Sequence, residues 1–83
     1  MPYFVYLITT KNKNKKKFSY VGYAKNIKKR LNLHNSGKGA KFTRGNKWKL
    51  VYYEKYDSKS DAMKNEYRLK KDYTLRKKLI KNK

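Results

Sequence analysis

Residues 3–10 read YFVYLITT, a run of aromatic and β-branched side chains in which odd and even positions alike are apolar. A strand with that pattern has no solvent face, so it reads as a strand buried on both sides. The chain has 83 residues, and folding at that length withdraws only roughly 60 to 65% of the unfolded surface from water. One domain spanning residues 1–83 with a small core is the expectation. Hydrophobic residues make up 37% of the sequence, and nine residues are tyrosines. Aromatic rings must therefore fill much of that core.

The remaining elements follow from local signals. The Lys/Asn run KNKNKKK at 11–17 breaks the first strand as a polar turn, and FSYVGYA at 18–24 supplies a second strand, so a hairpin is the natural connection. Asn26 caps a basic helix that ends near Asn35, where Asn, Ser and Gly cluster. GKGAKFTRGNK at 37–47 is a glycine-rich basic loop whose backbone amides could approach phosphate, although it lacks the spacing to a Lys-Ser or Lys-Thr pair that a P-loop requires. WKLVYYEKY at 48–56 alternates as a third strand. Ser58, with Asp61 three residues on, opens a second helix, and Thr74 caps a short last helix carrying Leu75 and Leu79 on one face. The reading is an α+β fold in the order β-β-α-β-α-α, with no repeat and no linker.

Twenty-five Lys and Arg stand against five Asp and Glu, a net charge of +20. Such a surface meets polyanions, with nucleic acid foremost. A membrane surface is disfavoured because no segment has a long apolar face opposite its lysines. No run approaches a transmembrane span and residues 1–10 lack the marks of a signal peptide, so an intracellular, cytoplasmic or nucleoid-associated protein is expected. With no cysteine and one histidine, disulfides, thiolate sites and a histidine-based zinc site are excluded. Any metal must be a hard ion on oxygen ligands.

Helical spacing groups the side chains that carry chemistry. In the first helix Ile27, Arg30, Leu31 and His34 form one stripe while Lys28, Lys29 and Asn32 fall opposite, so Arg30 and His34 border the buried face. The plain alternative is a snorkelling arginine beside a surface histidine. In the second helix Ala62, Glu66, Leu69 and Tyr73 share a stripe. That places the Glu66 carboxylate in apolar company, where it needs a cation, an arginine or a metal, or the ordinary i, i+4 partner Lys70. The other acids have simple roles: Asp57 and Asp61 suit a helix start, Asp72 ends a helix and Glu54 lies in a strand. Tyr6 and Tyr20 are central in adjacent strands, and alone they read as core rings.

Together FVY at 4–6, YVG at 20–22, Arg30, His34 and Glu66 resemble the GIY-YIG nuclease superfamily in order and spacing. The tract LNLHNSGKGAKFTRGNKWKLVYYE and the helix with EYRLKK look like its small stand-alone bacterial members, of UPF0213 type. The resemblance covers nearly the whole chain and implies a three-stranded antiparallel sheet flanked by helices. It further implies a metal-dependent endonuclease hydrolysing phosphodiester bonds, in DNA rather than RNA, with DNA repair as the process by analogy. By that analogy Glu66 holds one Mg²⁺ or Mn²⁺ and Arg30 grips the scissile phosphate. Tyr6 activates water, its pKa lowered by nearby cations and metal. Tyr20 positions groups around the phosphate, and His34 assists proton transfer or hydrogen-bonds a tyrosine. Gly22 would let the backbone pass close to phosphate.

Lys38, Lys41, Arg44 and Lys47 in the loop, with Lys70 and Lys71, are the expected backbone contacts. A monomer or weak dimer is expected, with substrate choice coming from nucleic-acid shape, a protein partner, or little selectivity. Two departures stand out: Phe4 and Val5 replace the glycine and isoleucine of the first motif, and neither Asn65 nor Asn82 matches the family's late asparagine. The alternatives are a catalytically weak or inactive DNA- or RNA-binding module of the same fold, and a ribosome-associated basic protein whose RNA binding ignores Glu66.

Overall fold

The structure is a computed structural model that describes residues 2–11, 17–39 and 45–81. Six elements follow one another: β1 (Tyr3–Lys11), β2 (Lys17–Ala24), α1 (Ile27–Asn35), β3 (Lys49–Tyr56), α2 (Lys59–Lys71) and α3 (Tyr73–Lys81). The strands form one antiparallel sheet in the order β2-β1-β3. The doubly apolar strand β1 is thus central, the only position in a three-stranded sheet that offers it a partner on each edge.

Its alternation divides the core in two. Val5 and Leu7 point to one face, where they pack with Val21, Val51 and the α2 residues Ala62 and Leu69, backed by Leu79 and Ile80 of α3. Tyr6 and Ile8 point to the other, with Ala24 and Trp48, closed over by Ile27 and Leu31 of α1. Helices α2 and α3 therefore cover one face of the sheet and α1 the other. Leu7 and Ile8 have no solvent exposure. Truncating either to alanine removes packing worth about 2–5 kcal/mol.

Caps fix the helix starts. Asn26 accepts the Lys29 amide at 3.0 Å and Ser58 accepts the Asp61 amide at 3.1 Å, as their residue types require. The last helix begins differently from the sequence-based expectation. Thr74 lies inside α3, and Asp72 is the cap, its carboxylate accepting the Leu75 amide at 3.0 Å. Asp72 also closes α2, its own amide bonding to the Arg68 and Leu69 carbonyls. One residue joins the two helices, so Tyr73 belongs to α3, not to the α2 stripe.

The connection between β1 and β2 falls on residues 12–16, and the middle of the glycine-rich loop on residues 40–44. Lys41 and Arg44, expected contacts of that loop, and Asn82 lie outside the described residues.

Candidate active site

β2 is an edge strand, and beyond its C-terminal end the chain passes through Lys25 and Asn26 into α1. A cleft of about 780 Å³ opens there, walled by Lys29, Arg30 and Leu33 of α1, by Lys59 and Glu66 of α2, and by Tyr6, Tyr20 and Gly22 of the sheet. Four of the five residues singled out from sequence line it: Tyr6, Tyr20, Arg30 and Glu66. The fifth, His34, stands behind them. Its Nε2 lies 2.9 Å from the Tyr6 hydroxyl, and its ring centroid is 5.0 Å from that of Tyr20.

His34 is 1% exposed, against the surface position that a plain reading allows. The i, i+3, i+4, i+7 stripe brings it inward with Ile27 and Leu31, while Arg30 at the edge of that stripe remains exposed and reaches the cleft. Burial and the nearby Arg30 charge both push the imidazole pKa below its usual value, so the ring is neutral at pH 7. Glycine at position 39 permits close approach to this ring. A Cβ there would lie 2.9 Å from both His34 Cα and Cγ.

Tyr6 is 2% exposed. Its phenol pKa is raised, chiefly by burial and then by neighbouring Tyr20, with Arg30 pulling the other way and Glu66 adding to the rise. This corrects the expectation that local cations lower it: in the protein alone desolvation outweighs Arg30, and the group is a protonated phenol at neutral pH. Gly22 faces Tyr6 directly across the β1–β2 pair. A Cβ at position 22 would lie 2.6 Å from Tyr6 Cζ, so the Tyr6 ring itself accounts for this glycine.

Glu66 is paired with Lys70, Nζ to Oε2 at 3.4 Å, the glutamate side chain 17% exposed and the lysine 49%. An ion pair this open to water contributes little, of order 0–1 kcal/mol, and separates readily when a stronger cation arrives. The cleft's own cations are Lys25, Lys29, Arg30 and Lys59. None of the described residues expected as backbone contacts, Lys38, Lys47, Lys70 and Lys71, lines the cleft. Lys38 and Lys47 are exposed on the loop, and Lys71 sits 4.4 Å over the Tyr67 ring. Spacing held the missed signal. Asn26, Lys29, Arg30 and Leu33 form a second i, i+3, i+4, i+7 stripe, one position off the core stripe, and it is this one that faces the cleft.

Residues 2–79 match the model of the GIY-YIG catalytic domain. The chain belongs to the GIY-YIG family. It is 42% identical over 69 residues to a UPF0213 protein of Staphylococcus saprophyticus, covering 82% of this chain and 79% of the relative. A UPF0213 protein of Oceanobacillus iheyensis is 39% identical, with 82% and 76% covered. Among solved structures, the solution NMR structure of a UPF0213 protein of Bacillus halodurans superimposes with a TM-score of 0.52 at 34% identity, over 100% of this chain and 86% of that one.

In this GIY-YIG chain the cleft holds a single carboxylate, and no group of three potential metal-binding side chains occurs among the described residues. A lone carboxylate suits Mg²⁺ or Mn²⁺, which keep most of their waters and take further oxygens from a phosphate. Asn65, the late asparagine nearest the glutamate, bonds back to the Asp61 carbonyl at 2.8 Å within its own helix. No described helix of this GIY-YIG chain is long and apolar enough to cross a membrane.

Proposed function

We propose that the protein is a metal-dependent endonuclease hydrolysing phosphodiester bonds in nucleic acid, DNA in preference to RNA, with Tyr6, Tyr20, Arg30, His34 and Glu66 as its active site. The observation that carries this reading is the hydrogen bond between the cleft-floor residue Tyr6 and the buried, neutral His34. It gives a phenol that is a poor base by itself somewhere to send its proton. As water attacks phosphorus, its proton passes to the Tyr6 oxygen while the Tyr6 proton moves to His34 Nε2, in the tautomer that carries hydrogen on Nδ1. The bond to the departing sugar oxygen breaks, and solvent protonates that oxygen.

Arg30, exposed beside Tyr6, offers a planar fork that pairs two phosphate oxygens and stays charged throughout. Tyr20, its ring tilted at 60° against that of His34, holds the imidazole in place and shapes the phosphate site. Glu66 would hold a single Mg²⁺ or Mn²⁺, an ion that supplies charge neutralisation at the phosphate when bound. Lys25, Lys29 and Lys59 add backbone contacts around the scissile position, with Lys38, Lys41, Arg44, Lys47, Lys70 and Lys71 extending them. We place the protein in the cytoplasm, in DNA repair.

A second reading is favoured by two observations together, the raised Tyr6 pKa and the Glu66–Lys70 pair: a module that binds nucleic acid in this cleft without cutting it. Labelled single-stranded, duplex and branched DNA, incubated with and without Mg²⁺ or Mn²⁺, separate the two. Wild-type protein should cleave only with metal. Glu66→Ala should lose at least about 100-fold in rate while binding is kept. Cleavage by neither protein with equal binding by both establishes the binding module, and equal cleavage by both overturns the assignment of Glu66.

A further inference from the structure

At the other end of β2 from the cleft, α3 leaves an open groove of about 560 Å³. It is lined by Phe18, Tyr73, Arg76, Lys77, Ile80 and Lys81, and among the described residues no acidic side chain lines it. Tyr73 is 66% exposed and Phe18 37%. Among the described residues Tyr73 is the most exposed large apolar side chain, ahead of Tyr53 and Tyr67 at 57%, and its ring lines the groove. Tyr73, Lys77 and Lys81 recur every four residues, so an aromatic ring and two ammonium groups lie in a row along one side of α3.

A fixed cation also lies beside the ring. Arg76 Nη1 donates to the Leu69 carbonyl at 2.8 Å and to the Lys70 carbonyl, tying its guanidinium to the C-terminal end of α2. The same guanidinium lies 5.8 Å from the Tyr73 ring centroid. A pinned cation beneath one aromatic ring, with lysines along the same helix, is the arrangement that receives an unpaired base on the ring and its phosphates on the ammonium groups.

We propose that this groove is a second nucleic-acid site, separate from the catalytic cleft, which binds an unpaired strand by stacking a base on Tyr73 and pairing phosphates with Lys77 and Lys81. Charge selects the occupant: a groove of cations without a carboxylate suits a polyanion, and exposed rings distinguish unpaired bases from a duplex, whose bases are already stacked. The distance suits a shared strand. Along β2, Phe18 and Ser19 of the groove directly precede Tyr20 of the cleft, so a short unpaired strand reaches from one to the other. The groove binds whether or not the cleft cuts.

The test is fluorescence anisotropy with a labelled twelve-residue oligothymidine and an abasic oligomer of equal length, in EDTA so that no cleavage occurs. Tyr73→Ala should weaken oligothymidine binding roughly tenfold, the order of one lost base–aromatic stack. Tyr73→Phe should bind as wild type, and the abasic oligomer should bind both variants and wild type alike. Circular dichroism should show all three proteins folded, since the Tyr73 side chain is largely in solvent. Affinities for oligothymidine within twofold across the three proteins overturn the proposal. So does an equal loss for the abasic oligomer, which would assign Tyr73 a role other than stacking. If the cleft proves inactive, metal-dependent cleavage fails while this Tyr73 dependence persists, so the two results are independent.

Discussion

The Tyr6 hydroxyl lies where a side chain at position 22 would begin. Adding one methyl there puts carbon 2.6 Å from Tyr6 Cζ, against a ring packed with Ile8, Ala24 and Trp48. Gly22→Ala should cost about 1–3 kcal/mol, the range for an overpacked core, seen as a lower urea midpoint with an unchanged slope. An unaltered midpoint would show that the ring shifts freely. The partner of Tyr6 carries a pH signature. Because folding lowers the His34 pKa, the unfolded chain binds the proton more tightly, and stability is fully present above the unfolded value near 6.5. It is then lost as pH falls from there through the folded value. Denaturation midpoints measured from pH 7.5 to 5 should decline in the wild type and lose part of that slope in His34→Gln; parallel curves would show that burial does not depress this group.

At the scale of elements, the entry to β3 is held by a side chain of α1. Asn35 donates to the Trp48 carbonyl at 3.2 Å and accepts the Trp48 amide, pairing with backbone as a neighbouring strand would. Thr10 of β1 holds the preceding Lys47 carbonyl. Asn35→Ala removes two hydrogen bonds at once and should cost about 1–3 kcal/mol, with a red shift in the emission of Trp48, the sole tryptophan. An unshifted spectrum at full stability would mean that Thr10 suffices. Elements of this kind explain what the sequence could disclose. Periodicity carries information along one segment, so the buried β1, the α1 stripe ending in His34 and the caps Asn26 and Ser58 were all legible. Pairing between segments is not written locally. The cross-strand meeting of Tyr6 with Gly22 and the Asn35 clamp depend on register, and the Asp72 joint displaced Thr74 because a single residue could serve two helices. A second stripe of α1, Asn26, Lys29, Arg30 and Leu33, brought Lys29 to the cleft from a position that looked solvent-facing.

For the whole molecule, a net charge of +20 governs encounter with any polyanion. Four cleft cations, Lys25, Lys29, Arg30 and Lys59, set a floor on the phosphates engaged. Binding of a short DNA should therefore weaken with salt at a log–log slope of about −3 to −4 or steeper. Lys59→Ala should flatten that slope by roughly 0.7–0.9, equally for all sequences. A slope untouched by the substitution would remove Lys59 from the interface.

The sheet order has a consequence in time. Central strand β1 pairs with β2 inside one hairpin, whereas its other partner, β3, is reached only after α1 and the loop that follows it. Closing the shorter connection first is entropically cheaper, so the hairpin with Tyr6 already against Gly22 should precede docking of β3 and α2. Glu66 then joins a preformed tyrosine floor late in folding. Val21→Ala should chiefly slow refolding and Val51→Ala chiefly hasten unfolding in stopped-flow experiments, and the reverse pattern would place the nucleus at the β1–β3 edge. A nascent chain would acquire its phenol and imidazole before its carboxylate, so the candidate site would be complete only in the last step of reaching its native state.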